Sequence, residues 1–397
     1  MATIGEPRQT WQATPQPQPQ PLTMPMRPGL GVVERRTMHF PFPPAAPFRL
    51  AFGGELPAFD LAYETYGTLN AAGDNAILLI HALTGDAHAA GQHAEDDRKR
   101  GWWDPMIGPG RPLDTEKHFI ICANALGGCA GSTGPLDNNP ATGQPWGKNF
   151  PLITVPDLVR TQRLLVDRLG IRRLAAVIGG SLGGMQALEW AVRYPMLTGR
   201  VAIIAAAGRL DAQGIALNEV GRRAIMLDPR WQDGDYAPDQ GPDEGLAVAR
   251  MVGTVTYHSK ESMATRFGRR PARGPVARPT LGGVFDVEGY LHHHGDALVA
   301  RFDAHSYLRQ TRAMDLYDVA EGRGSEGWAL STVRARVLTV GIRSDWLFTP
   351  QGVRDLNEAL LAAGADARYH ELDSPHGHDA FLKEWEMLDP LLRELLA

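Results

Sequence analysis

Five short stretches of this chain are apolar almost without interruption: Ala76-Ile77-Leu78-Leu79-Ile80, Phe119-Ile120-Ile121-Cys122-Ala123, Leu174-Ala175-Ala176-Val177-Ile178, Val201-Ala202-Ile203-Ile204-Ala205 and Val337-Leu338-Thr339-Val340. A strand with one wet face alternates polar and apolar residues, so runs without alternation belong to strands buried on both faces of a parallel sheet. Helical periodicity over residues 155–169 and 186–194 separates several of them, which is the β-α order of an open α/β sheet. Upstream, Phe48 to Phe52 reads as a strand ending in Gly53-Gly54, and Phe59 to Gly67 as a second, the two forming a hairpin.

The alternation stops between residues 208 and 330. Helical periodicity over 218–227, 244–255 and 296–314 is broken there by a Pro/Arg/Gly-rich stretch, residues 269–279. Because β-type sequence resumes at Arg336, this segment is expected to be a helical cap inserted into a sheet domain made of residues 36–207 and 331–397. The N-terminal residues 1–35, where Gln16, Gln18 and Gln20 alternate with Pro15, Pro17 and Pro19, read as a disordered arm.

Composition narrows the function classes. A formal charge of −5 argues against a basic surface, so nucleic acid and anionic membrane are not expected partners. No long apolar span or secretion signal is legible. Cys122 and Cys129 are too few for a disulfide framework and lack zinc-site spacing, which fits a reducing, cytoplasmic setting.

Gly179-Gly180-Ser181-Leu182-Gly183 sits between a buried strand and a helix, the setting of a nucleophile elbow. A serine on so sharp a turn needs neighbours without a Cβ. Its hydroxyl is then expected to stand exposed at a helix N-terminus, where backbone N–H groups and the dipole favour an oxyanion. Serine is a weak nucleophile until a base takes its proton and an acid orients that base. Asp345 follows the last apolar run in a loop, and His376 and His378 lie in a late Gly-containing loop; spacing does not choose between the two histidines. The order Ser…Asp…His is that of α/β-hydrolases. The first oxyanion N–H is assigned to Leu182, the second to Leu83 in the loop after the first buried strand. His81 and His88 in that loop read as packing residues. His292-His293-His294 diverge on a helix and read as solvated surface, so no metal is expected.

Longer blocks carry a more specific likeness. His81-Ala82-Leu83-Thr84-Gly85-Asp86-Ala87-His88, Gly101-Trp102-Trp103-Asp104, Asn124 through Pro135, Gly179 through Trp190, Arg301 through Tyr307, Asp345-Trp346-Leu347-Phe348 and Gly377 through Leu382 resemble the homoserine O-acyltransferases of methionine biosynthesis. The likeness runs from about residue 40 to the end. It implies an α/β-hydrolase fold and transfer of an acyl group from acyl-CoA, as co-substrate, to the hydroxyl of L-homoserine through an acyl-serine, with no cofactor. It implies His378 as the base, Asp379 for the homoserine ammonium and Arg250 for its carboxylate; the ordinary alternatives are a helix N-cap and a surface ion pair. By the same resemblance, succinyl-using relatives tend to carry arginine two residues after the catalytic aspartate. Leu347 stands there in this chain, which favours acetyl-CoA. The resemblance further implies a homodimer built through the cap helices.

Overall fold

The computed structural model describes residues 30–237, 239–272, 281 and 283–397. Its strands are β1 (Arg36–Pro41), β2 (Phe48–Arg49), β3 (Glu55–Leu56), β4 (Ala58–Tyr66), β5 (Ala76–Ile80), β6 (Phe119–Ala123), β7 (Leu174–Gly180), β8 (Arg200–Ile204), β9 (Arg336–Ile342) and β10 (Ala367–Leu372). One sheet has the order β1-β4-β6-β5-β7-β8-β9-β10, antiparallel at the β1–β4–β6 end and parallel through β6-β5-β7-β8-β9-β10.

The uninterrupted apolar runs fall where period-2 geometry requires. Along β5, Ala76, Leu78 and Ile80 point into one core while Ile77 and Leu79 point into the other. Helices α1 (Val155–Arg168), α2 (Leu182–Arg193) and α9 (Pro350–Ala362) supply Leu158, Leu188 and Leu356 to the first core, and α10 (Trp385–Leu396) supplies Leu388 and Leu392 to the second. Each such side chain withdrawn from water is worth about 1.5–3 kcal/mol, so a strand feeding both faces is the most strongly held part of the sheet.

The expected hairpin is corrected. Phe48–Arg49 pairs with Glu55–Leu56 as a separate small ribbon, and β4 pairs with β1, a strand the apolar pattern does not reveal. The reason is exposure: β1 is an edge strand with Phe40 its one buried residue, so it carries no apolar run. Residues 1–29 of the expected arm lie outside the described residues. The remainder of that span is held to the body, the Val33 N–H donating to the Gln92 carbonyl at 2.8 Å.

Between β8 and β9 come α3 (Ala212–Leu227), α4 (Asp243–Tyr257), α5 (Lys260–Arg266), α6 (Asp286–Val299), α7 (Ala304–Leu316) and α8 (Glu326–Leu330). The two ends of this insertion meet: the Val319 N–H donates to Gly208 O at 2.9 Å, and Arg209 pairs with Asp318 at 3.2 Å. A buried ion pair, Arg222 to Asp315 at 2.6 Å, ties α3 to α7. The continuous helix expected over 296–314 is instead two. Asp303 ends the first by capping the second, its carboxylate accepting from the His305 N–H at 2.9 Å and the Ser306 N–H at 3.4 Å. Residues 273–279 of the Pro/Arg/Gly-rich stretch lie outside the described residues.

Candidate active site

Ser181 is the residue between β7 and α2 and has φ 58° and ψ −125°, a conformation costly for a side chain with a Cβ. Its amide is fixed by donation to Ile204 O at 2.9 Å. The flanking glycines are obligatory by contact. A Cβ on Gly179 would lie 2.1 Å from Gly183 O, and one on Gly183 would lie 2.3 Å from Ile80 O. The hydroxyl is not exposed as expected. Ser181 is 5% accessible because the cap closes over it, with Tyr257, Tyr307, Leu83 and Leu347 lining the same small cavity of about 20 Å³.

Of the two late histidines, geometry selects one. His378 is buried, and its Nδ1 lies 2.7 Å from Asp345 Oδ2. Asp345 Oδ1 accepts the N–H groups of Leu347 at 2.9 Å and Phe348 at 3.0 Å, so the carboxylate cannot rotate away. His376 is half-exposed and lies 3.7 Å from Glu384. The two loops are bolted together by Ser344, whose Oγ donates to Ser374 O and accepts the Gly377 N–H at 2.9 Å. Gly377 is needed there: φ is +69°, and a Cβ would meet the Tyr257 carbonyl oxygen at the end of α4 at 2.7 Å. Burial pushes the His378 imidazole down, but the Asp345 charge and hydrogen bond, with the Asp379 charge, outweigh it and raise it above the ordinary value. His378 Nε2, the nitrogen a base would use, is buried and has no hydrogen-bond partner among the described residues. The Asp–His half of the relay is thus formed, while the Ser–His bond is not made in this state.

The Leu182 N–H is the first of α2 and has no carbonyl four residues back within the helix. Leu83 lies in a turn closed by the Gly85 N–H donating to Ala82 O at 2.9 Å. Both leucines are buried.

Arg250, on α4, has no carboxylate within ion-pair distance among the described residues, so the surface-pair alternative is not realised. Its guanidinium stands 5.4 Å from the Tyr257 ring centroid and 3.5 Å from Thr84 Oγ1. Arg301 reaches the same residue, donating to Thr84 O at 2.8 Å. Asp379 does not cap the last helix, whose N-cap is Glu384; it lies 3.4 Å from Lys383 Nζ and 3.8 Å from His258 Nδ1. Tyr257 is a site residue the sequence reading misses. It follows Arg250 by seven positions, two turns along one helix face, and its ring lies 5.8 Å from that of His378.

One group of side chains among the described residues has metal-ligating types in reach of one another: Glu64, His88 and His93. The buried Glu64 carboxylate is occupied there by His88 Nδ1 at 2.9 Å, His93 Nε2 at 2.8 Å and the Tyr66 hydroxyl at 3.0 Å. His88 is thereby a packing residue, as read from the sequence. His292 and His293 are exposed on α6.

Comparison with known proteins agrees with this geometry. Residues 75–384 match the family model described as alpha/beta hydrolase fold. The chain is 54% identical to a homoserine O-acetyltransferase of Symbiobacterium thermophilum over 89% of this chain and 92% of the relative. It is 49% identical to a homoserine O-succinyltransferase of Halothiobacillus neapolitanus over 89% of this chain and 87% of the relative. Among solved structures, homoserine O-acetyltransferase from Bacillus anthracis superposes with a TM-score of 0.85 at 29% identity, covering 92% of this chain and 98% of that one. Esterase E22 superposes with 0.84 at 30% identity, covering 92% and 100%. The cap inserted between β8 and β9, the elbow at Ser181 and the Asp345–His378 pair sit on a chain that belongs to the homoserine O-acyltransferase family of the α/β-hydrolase superfamily.

Proposed function

We propose that this protein is a homoserine O-acetyltransferase, carrying acetyl from acetyl-CoA to the hydroxyl of L-homoserine through an acetyl-serine. The observation that carries the reading is a hydrolase-type Asp345–His378 pair together with Arg250, whose guanidinium stands 5.4 Å from the ring of Tyr257, a residue lining the Ser181 cavity, and has no carboxylate partner among the described residues. A hydrolase acting on simple esters has no use for such a group, whereas an amino-acid acceptor has a carboxylate to place on it.

In the first half-reaction Ser181 Oγ gives its proton to His378 Nε2 and attacks the thioester carbonyl. The N–H groups of Leu182 and Leu83 hold the resulting oxyanion. The intermediate collapses, the C–S bond breaks, and the CoA thiolate takes the proton from His378. In the second, the homoserine hydroxyl loses its proton to His378 and attacks the acetyl carbonyl; Ser181 Oγ leaves and recovers the proton. Arg250 holds the acceptor carboxylate and Asp379 its ammonium. These steps need no cofactor and no metal ion. Leu347, whose side chain lines the Ser181 cavity, supports acetyl over succinyl: it offers no charge to a second carboxylate on the acyl chain.

A homodimer through the cap is supported by Val220 and Leu227 on α3 and Val248 and Val255 on α4, each pair seven residues apart and exposed. A cytoplasmic setting is supported by two free cysteines; no helix among the described residues is long and apolar enough to cross a membrane.

The test is release of free thiol by purified protein, with acetyl-CoA or succinyl-CoA, with and without L-homoserine. The reading expects thiol release that depends on homoserine and yields O-acetylhomoserine, with acetyl-CoA preferred. Equal release without homoserine identifies an esterase or thioesterase. Preference for succinyl-CoA identifies a homoserine O-succinyltransferase and removes the argument from Leu347.

A further inference from the structure

We propose that His81 is a positioning residue for acyl transfer: as a neutral imidazole protonated on Nδ1, it holds the Ala82–Leu83 peptide so that the Leu83 N–H faces the oxyanion. This rests on the assignment of that N–H under the proposed function. His81 Nε2 lies 3.0 Å from the Ala125 backbone N–H, which can only donate, so this nitrogen carries no proton. Nδ1 lies 2.8 Å from the Ala82 carbonyl, which can only accept, so this nitrogen carries the proton. The tautomer is therefore fixed from both sides of the ring.

That carbonyl belongs to the same peptide unit as the Leu83 N–H. With no cis peptide bond in the described chain, the C=O and N–H of the unit point in opposite directions. Drawing Ala82 O inward, onto His81 Nδ1 and the Gly85 N–H, turns the Leu83 N–H outward. Leu83 lines the cavity it shares with Ser181, and on this proposal its N–H is aimed there. The loop is also seated on the elbow, since a Cβ on Gly183 would lie 3.0 Å from His81 O. His81 is 4% accessible, and burial pushes its imidazole below the ordinary value, which keeps it neutral. The ring thus bridges the loops after β5 and β6 and sets one dihedral that matters for charge stabilisation.

Two substitutions separate positioning from packing. His81→Asn keeps a side-chain N–H near the Nδ1 position and loses the Ala125 contact. His81→Gln keeps an acceptor near the Nε2 position and loses the donor to Ala82. Loss of an oxyanion donor costs 10²–10³ in kcat, so a donor left in place but misaimed predicts a fall of about tenfold or more in Ser181 acetylation for His81→Gln, with the KM for acetyl-CoA little changed. His81→Asn is predicted to keep most of the rate. Equal losses in the two variants, or a loss confined to KM, overturn the proposal. If the wild-type protein forms no acetyl-serine, the proposed function fails instead, which the same assay reveals. The tautomer is tested on the wild-type protein without any activity: ¹⁵N spectra of the histidine rings predict a neutral Nδ1–H imidazole for His81 from mildly acidic to mildly alkaline pH. A protonated ring or the Nε2–H tautomer contradicts the proposal even if neither variant folds.

Discussion

Ser181, Asp345 and His378 differ in how they announce themselves. Ser181 is legible because a strained turn demands glycines at fixed offsets, and Asp345 because a loop after a buried strand is a short list of positions. His378 is not separable from His376 by spacing, because the choice depends on which ring the 374–378 turn buries against Asp345. Its environment has a measurable consequence. The imidazole is raised by the Asp345 charge against the downward pull of burial, and a base works only when unprotonated, so acetylation of Ser181 should fall with decreasing pH along a limb above the ordinary imidazole value. Asp345→Asn should move that limb to lower pH while cutting the rate; a limb that stays put would assign it to another group. The same shift bears on stability. The protonated His378–Asp345 pair stabilises the fold at pH below the unfolded imidazole value, and that contribution is lost as pH rises through the folded one.

At the acceptor end, Arg250→Ala and Asp379→Asn should slow the homoserine half-reaction far more than acetylation of Ser181. Removing one partner of a buried charge contact costs about 2–5 kcal/mol, and burst kinetics with and without homoserine separate the two steps. Equal losses in both would mean that these residues serve the cap or the last turn. Leu347→Arg should raise the ratio of kcat/KM for succinyl-CoA over acetyl-CoA by about tenfold or more, since a hydrogen bond to a charged group is worth about 1.5–3 kcal/mol. An unchanged ratio in a folded, active variant would show that this position does not read the acyl chain.

Elements were legible in proportion to their burial. The five apolar runs coincide closely with β5 to β9, whereas the edge strands β1 and β10 escape notice. Edge strands expose one or both faces; β10 alternates intermediate and exposed residues until Leu372, and so has the composition of a loop. The break at residues 300–303 hides for a different reason: apolar periodicity continues on both sides of it, and the signal lies in one capping aspartate, Asp303. Nor does the pattern reveal what locks the cap helices together. The side chains of Arg222 and Asp315 are 3% and 4% accessible, and Asp315 Oδ1 also accepts from Asn218 Nδ2 at 2.8 Å. Arg222 also donates to Glu219 at 2.9 Å, so Asp315→Ala leaves it one partner and should lower stability in urea by about 1.5–3 kcal/mol, the worth of a hydrogen bond to a charged group. Replacing both partners with apolar residues should recover much of the loss. A loss below about 1 kcal/mol in the single variant would show the pair to be solvated, as surface pairs are.

For the whole molecule, the cavity over Ser181 sets the terms. At about 20 Å³ it holds little more than a water, far below the roughly 300–1,000 Å³ of sites that enclose small molecules. The insertion that covers Ser181 is held at both ends by the Gly208–Val319 neck. In the proposed reaction that cover keeps water from the acetyl-serine until an acceptor arrives. The most direct measurement is intact-protein mass spectrometry after rapid mixing with acetyl-CoA alone, followed by a chase with L-homoserine. One acetyl group is expected, mapped to Ser181 and absent from Ser181→Ala, that persists in water and leaves as O-acetylhomoserine on the chase. Failure to find the adduct under rapid quench, with intersecting rather than parallel kinetic patterns, would contradict the acyl-serine. An adduct lost at the same rate with and without homoserine would contradict the transferase.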